Sequence, residues 1–139
     1  MSDAGDLPDD VRALLQEHIE SYEQLETLLL LRRERYEQWS APGLAGRLRV
    51  RAELIDTALA ALEASGLIQA LATEPRRFAY RPASDGLDAA VGRLERAYTE
   101  RPIPVIQLMS ANAIERLRTA ALHTFADAFV LKKKDKDRG

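Results

Sequence analysis

The chain has 139 residues, of which 46% are hydrophobic and 30% charged, so it is one domain or a small domain with a helical extension. It contains no cysteine, which excludes a disulfide framework and thiolate metal sites. Its net charge of −2 excludes a strongly basic nucleic-acid coat protein, so any contact with nucleic acid must come from a local patch.

The N-terminus is acidic and polar and lacks the positive and apolar regions of a secretory signal, so we expect a cytoplasmic protein. The longest apolar run, Leu28 to Leu31, is far too short to cross a bilayer, and no membrane partner is expected. Residues 1–6 are expected to be disordered. A first helix then starts around Pro8, because apolar residues follow at helical spacing as far as Ile19.

Two capping patterns predict the next helices. Ser21 and Gln24 have the spacing of a capping box, which opens a second helix with a wide apolar face that ends near Arg33. Ser40 is a good N-cap for a third helix, with a proline in its first turn. A fourth helix begins at Arg51 or the residue after it.

A hairpin and further helices follow. Gly66 is predicted as a left-handed C-cap, after which residues 67–71 and 78–81 alternate enough to pair as strands around a polar wing turn, 72–77. Ser84 starts a helix that ends before the prolines at 102 and 104.

The remaining segment is predicted in three pieces. Residues 105–109 form a short apolar segment, which is predicted to be a helix or a strand. Asn112 and Glu115 have the spacing of another capping box, which predicts a last helix over 113–131. Residues 132–139 form a charged tail.

This order of parts predicts a mostly α protein with a small β-hairpin, that is, a winged helix-turn-helix with additional N- and C-terminal helices. The predicted winged-helix domain covers residues 7–83. A C-terminal helical extension covers residues 84–131.

Apolar residues recur through the helix-turn-helix region, at Leu44-Ala45-x-x-Leu48-x-Val50, Ile55, Leu59, Leu62 and Gly66-Leu67-Ile68. This gap-free spacing resembles the core signature of bacterial winged-helix transcription regulators such as the MarR and ArsR families. The flanking pieces, Gln24 to Leu31 and Phe125 to Phe129, look like a poorly characterised subgroup with the same label. By analogy, the resemblance implies binding to double-stranded DNA.

Charge is concentrated at the turn and the wing. Between residues 40 and 82, six arginines stand against four carboxylates. Arginines there suit phosphate contacts, while a solvated loop with local salt bridges is the open alternative. Six phosphate contacts would give a log–log salt slope of roughly −5. The candidate DNA-binding residues are Arg47, Arg49, Arg51, Glu53, Thr57, Arg76, Arg77 and Arg81.

The exposed face of the second helix of the motif departs from the resemblance. Where such regulators usually carry polar or basic residues, this chain has Glu53, Asp56, Thr57, Ala60 and Ala61. Carboxylates repel phosphates, and alanine contacts little beyond a thymine methyl group. Glu53 and Thr57 would then provide the limited recognition of bases that this helix can make. The alternative is a winged-helix module that binds another protein without sequence-specific DNA binding.

The last predicted helix carries an apolar stripe that either pairs with a second copy or covers the core. We expect a homodimer, in which Val105, Ile106 and Met109 contribute to the contact. The candidate dimerisation residues are Ile114, Leu117, Ala121, Phe125 and Phe129.

No acid, base and nucleophile can be assembled into a catalytic constellation, so no enzyme is predicted. His18 and His123 lack partners at metal-ligand spacing, so no metal or cofactor is expected. Tyr22, Tyr36 and Trp39 are expected to serve in packing. The sequence therefore predicts a DNA-binding transcription regulator that relies mainly on phosphate contacts.

Overall fold

The fold is described from a computed structural model, which covers residues 7–137 and, for residues 131–137, the backbone alone. The predicted disorder of residues 1–6 and the last two residues of the predicted tail lie outside this range. In chain order the elements are α1 (Asp9–Glu17), α2 (Tyr22–Arg33), β1 (Trp39–Ser40), α3 (Ala41–Leu48), α4 (Ala52–Ala64), β2 (Ile68–Leu71), β3 (Arg77–Tyr80), α5 (Asp85–Glu100) and α6 (Pro102–Asp137).

The first two helices begin close to where the sequence predicts. Pro8 occupies the N-cap position of α1, so that helix starts slightly later than expected. Ser21 caps α2, because its Oγ accepts a hydrogen bond of 3.1 Å from the backbone N–H of Gln24. Gln24 Oε1 accepts one of 2.7 Å from the backbone N–H of Glu20. The capping box is therefore confirmed, with its return bond made to Glu20.

Helix α2 forms the centre of the core. Leu25 and Leu28 to Leu31 are all buried, as expected for a helix that is apolar on most of its circumference. It packs against α3, α4 and β3. Other fully buried side chains come from every neighbouring helix, namely Val11, Leu15, Leu44, Ile55, Leu62, Val91, Leu94 and Val105.

Helices α3 and α4 form the predicted helix-turn-helix. Ser40 Oγ accepts a hydrogen bond of 3.2 Å from the backbone N–H of Gly43, which caps α3. Leu44 and Ile55 face the core and are fully buried. The chain leaves α4 through Gly66, whose φ of +73° lies in the left-handed region that favours glycine.

The sheet has three antiparallel strands in the order β1-β3-β2. Strands β2 and β3 are the predicted hairpin, and residues 72–76 between them are the wing turn. Strand β1 was not predicted, because its two residues, Trp39 and Ser40, are too few to show alternation. They pair with Phe78 and Arg77 of β3. The predicted fold class is confirmed: the protein is a mostly α winged helix-turn-helix with additional N- and C-terminal helices.

The last helix differs most from the prediction. Helix α6 is continuous from Pro102, so the helical alternative for residues 105–109 is confirmed, and the separate helix start predicted at Asn112 is wrong. Pro102 and Pro104 lie in its first turn, where a helix tolerates proline because the N–H groups there have no intrahelical acceptor. Its helical backbone continues through residues 132–137 of the predicted tail.

Helix α6 leaves the body of the protein along its length. Val105 and Met109 are buried in the core, so their predicted contribution to a dimer contact is wrong, whereas every side chain from residue 117 to residue 130 is exposed. The alternative in which the last helix covers the core is therefore wrong. Within residues 7–137, no helix combines the length and the apolar character needed to cross a bilayer.

Candidate nucleic-acid interface

Two arginines in the turn between α3 and α4 occupy positions that favour other residue types. Arg49 ends α3 in the left-handed region, with a φ of 56°, where glycine or asparagine is preferred. Arg51 is the N-cap of α4, yet its side chain makes no capping hydrogen bond, and serine, threonine or aspartate is preferred there. Local backbone energetics therefore do not explain either arginine.

Arg47 lies on α3, just before this turn. Its side chain is 57% exposed and its Nη2 lies 3.8 Å from Glu34 Oε1. An exposed ion pair of this kind contributes little to stability, because solvent screens it. The guanidinium can therefore exchange this partner for a phosphate at small cost.

The exposed face of α4 offers few hydrogen-bond donors. Glu53, Thr57 and Ala60 are exposed, in agreement with the predicted outer face. The Thr57 hydroxyl donates a hydrogen bond of 3.0 Å to the backbone oxygen of Glu53, so its proton is already used inside the helix. This face can accept hydrogen bonds, but it is poorly equipped to read acceptor-rich base edges.

A groove separates α4 from the wing turn. It has a volume of about 390 Å³ and includes Leu59 and Phe78 in its lining. Asp56 and Glu63 line its α4 side, and Arg76 lines its wing side. The structure thus brings Arg76 next to two carboxylates that belong to the same face of the head.

The other two wing arginines lie elsewhere on the hairpin. Alternation along β3 puts Arg77 and the buried Ala79 on the face opposite Phe78 and Tyr80, and the exposed Arg81 follows directly after the strand. Arg81 Nη1 donates a hydrogen bond of 3.0 Å to Gln69 Oε1 on that face. The six candidate arginines are therefore divided between the turn, the groove and the outer face of the hairpin.

Of the three aromatic residues expected to serve in packing, only Trp39 does so. Trp39 is partly buried, and its ring lies over Gly43, where an added Cβ would come within 3.4 Å of Cε3. Tyr36 is instead 92% exposed, and Tyr22 is also exposed. The packing role predicted for these two tyrosines is therefore wrong. The charged residues on both sides of Tyr36 are the sequence signal for its exposure.

The candidate dimerisation residues form an uncovered apolar ridge on α6. They recur every three or four residues and therefore share one helix face. Leu117 and Phe125 are each 71% exposed. A contiguous exposed apolar surface of this kind is typical of an interaction site. The ridge consists of Ile114, Leu117, Ala121, Phe125 and Phe129, all exposed.

The two histidines lie apart, on or beside different helices. The Nε2 of His18 lies 3.8 Å from the carboxylate of its neighbour Glu17, and His123 is exposed on α6. Among the side chains that the structure describes, those of residues 7–130, no three or more histidine, aspartate or glutamate residues are grouped so that they could hold a metal ion.

No protein-family model matches the sequence, and no curated protein matches it. The fold is similar to that of a MarR family transcription regulator known from a crystal structure. The two are 16% identical over 85% of this chain and 80% of that chain, with a TM-score of 0.51. A single-substitution mutant of MepR from a multidrug resistant S. aureus clinical isolate is also similar. It is 16% identical over 86% of each chain, with a TM-score of 0.50. At this identity the likeness shows the fold alone.

Proposed function

We propose that the protein binds double-stranded DNA as a homodimer and acts as a transcription regulator. In this proposal the arginines of the turn and the wing contact phosphate oxygens, and α4 contributes little base readout. Phosphate contacts position a protein on the duplex and carry no sequence information directly. The regulator would therefore bind with modest sequence preference.

The observation that carries the proposal is the pair of arginines at the turn. Arg49 and Arg51 stand where glycine and a capping residue would stabilise the fold better. A residue that opposes local stability is a reason to look for a function that needs it. Both arginines lie directly before the exposed face of α4. Guanidinium groups at this position would contact the phosphates that border the DNA groove into which α4 inserts.

The proposed contacts per head are those of Arg47, Arg49, Arg51 and Arg76. Arg77 and Arg81 would contact only a backbone that passes along the outer face of the hairpin. The likeness in fold to a MarR family transcription regulator supports the proposal in a general way.

The homodimer rests on the apolar ridge of α6. Leu117 and Phe125 are largely exposed on a helix that extends beyond the body, and an aromatic ridge in water is costly unless another surface covers it. A second copy is the proposed partner, because two identical heads would then contact two half-sites on the duplex.

A second candidate function is binding to another protein through α4. It is favoured by Asp56 and Glu63, which line the groove beside α4 and would repel phosphates. Small side chains at Ala60 and Ala64 would let another helix approach this face. Capture of partners from the source organism, with and without nuclease, tests this candidate. Partners that depend entirely on DNA would remove it.

The direct test of the main proposal is titration of the purified protein onto a fluorescently labelled duplex at low salt. We expect binding that weakens steeply as salt is added, because counterions are released from the phosphates. Absence of binding at micromolar protein and ~100 mM salt would contradict the proposal.

A further inference from the structure

Tyr36 and Arg35 form an exposed aromatic and cationic pair outside the helix-turn-helix. They lie in the loop formed by residues 34–38, between α2 and β1. The Cζ of Arg35 lies 5.6 Å from the centroid of the Tyr36 ring, which is within range of a cation–π interaction. Tyr36 is 92% exposed, so the core gains nothing from its ring.

The loop contacts the helix-turn-helix at both of its ends. At its start, Glu34 Oε1 lies 3.8 Å from Nη2 of Arg47 on α3. At its end, the ring of Trp39 lies over Gly43 in the same helix. These contacts hold the Arg35–Tyr36 pair beside α3.

The strand register shows which end of the head the loop occupies. Ser40 is opposite Arg77, the residue directly after the wing turn, and Trp39 is opposite Phe78, one residue further along β3. The chain before Trp39 therefore lies toward the end of the sheet remote from the wing. The contact between Glu34 and Arg47 brings the start of the loop close to the C-terminal end of α3, where the turn with Arg49 begins, whereas Arg76 lies at the wing.

The charges at this end suit an anionic partner. Arg35 lies on the loop and Arg47 and Arg49 lie at the adjoining end of α3, against the carboxylates of Glu34 and Glu37; Arg33, the last residue of α2, directly precedes the loop. A guanidinium held against an aromatic ring loses less freedom when it binds a phosphate, because its orientation is partly set beforehand.

We infer that the Arg35–Tyr36 pair is a second phosphate-contact site. It binds the DNA backbone next to the segment that α4 contacts, on the side of that segment away from the wing. This inference rests on the proposed function and extends it. Arg35 contacts the phosphate, and the ring of Tyr36 acts as a positioning residue that holds the guanidinium. A duplex long enough to reach past the turn is needed for this contact.

The experiment compares variants on two duplexes. The short duplex covers only the helix-turn-helix and the wing, and the long duplex extends it by one helical turn, about 10 base pairs, at each end. The variants are Arg35→Ala, Tyr36→Ala and Tyr36→Phe. The matched control is Arg12→Ala, an exposed arginine on α1, which packs against α5 and α6. Circular dichroism verifies that each variant is folded.

We expect Arg35→Ala to weaken binding to the long duplex by about fivefold, the effect of one exposed ionic contact. It should also flatten the log–log salt slope by about 0.9 for each head bound. Tyr36→Ala should weaken binding in the same direction, and Tyr36→Phe should bind like the unchanged protein because the ring is kept. On the short duplex all variants and the control should bind alike.

Three results would overturn the inference. If the unchanged protein binds the long duplex and Arg35→Ala binds it equally well with the same salt slope, the loop makes no phosphate contact and the proposed function stands. If Tyr36→Phe is as weak as Tyr36→Ala, the positioning role of the ring is wrong. If the unchanged protein binds neither duplex, the proposed function fails together with this inference.

Discussion

The guanidinium of Arg32 lies against Gly92 of α5, so closely that a Cβ added at Gly92 would come within 3.0 Å of Nη2. Arg32 Nη1 donates a hydrogen bond of 3.0 Å to Glu95, and its Nε lies 4.0 Å from Asp88. The Tyr80 hydroxyl donates a hydrogen bond of 2.7 Å to the same Asp88 carboxylate. This cluster joins α2, α5 and β3, and so fixes the wing strand to the helices behind it.

The first prediction concerns Gly92→Ala. Alanine favours a helix by about 1 kcal/mol over glycine, but here its Cβ would push the Arg32 guanidinium away from Glu95, and losing that charged hydrogen bond costs about 2 kcal/mol. We expect a net loss of about 1 kcal/mol in the free energy of unfolding, measured by urea denaturation.

The matched control is the same change in an Arg32→Ala background. There the obstacle is absent, and Gly92→Ala should stabilise the protein by about 1 kcal/mol. A change of the same sign in both backgrounds would show that Arg32 is not the reason for the glycine.

The second prediction concerns alkaline pH. Burial, aided by the hydrogen bond to Asp88, raises the pKa of Tyr80 well above its ordinary value of 10.0. Burial, aided by hydrogen bonds to Tyr22 and Glu26, raises the pKa of Tyr98 in the same direction. The folded protein thus holds both phenolic protons more tightly than the unfolded chain.

Their contribution to stability is consequently complete below pH 10, the ordinary tyrosine pKa, and declines as the pH rises above it. Urea denaturation across this range, with phenolate absorbance followed in parallel, measures the effect. A Tyr80→Phe, Tyr98→Phe double variant should lose stability less steeply above pH 10. Equal slopes for the two proteins would contradict the assignment.

The third prediction separates stability from DNA affinity at the turn. Arg51→Ser places a capping hydroxyl at the start of α4 and should stabilise the protein by about 1 kcal/mol in urea denaturation. It should also weaken DNA binding, because it removes a proposed phosphate contact.

Ser84→Ala is the matched control for the capping effect. Ser84 Oγ accepts a hydrogen bond of 3.1 Å from the backbone N–H of Leu87, so its loss should destabilise the protein by about 1 kcal/mol. DNA affinity should not change. If Arg51→Ser gains stability and keeps full affinity, Arg51 has no role at the interface.

The fourth prediction tests the ridge on α6. Phe125→Glu places a charge at the exposed apolar face and should raise the dimer dissociation constant at least about tenfold, as for a central aromatic residue of an interface. Sedimentation equilibrium measures this constant. Thr119→Glu, on an exposed position that lines a groove beside α1, should leave it unchanged. A monomeric unchanged protein, or equal effects of both substitutions, would contradict dimerisation through the ridge.

Local chemistry explains which parts of the fold could be predicted. The start of α5 followed from Ser84, whose side chain does cap the helix. Gly66 marked the end of α4 through its positive φ. The helix start predicted at Asn112 was wrong because a capping pattern reports only local sequence. The helix begins at Pro102, and no residue between Pro102 and Asn112 ends it.

The candidate interface was predictable only in part. The arginines at the turn were visible in the sequence, but their division among turn, groove and outer face depends on the register of β3. The exposure of Tyr36 depends on how the loop is held against α3. The charged neighbours of Tyr36 indicate its exposure, but neither the division of the arginines nor the position of the loop is encoded in the spacing of residues along one element.

The salt dependence of DNA binding tests the central claim most directly. Four phosphate contacts per head predict a log–log slope of about −3.6 for each head bound. An Arg49→Gly, Arg51→Ser double variant should be at least as stable as the unchanged protein, and its slope should be flatter by about 1.8 per head. Equal slopes for the two proteins, or no binding by the unchanged protein at low salt, would contradict the account.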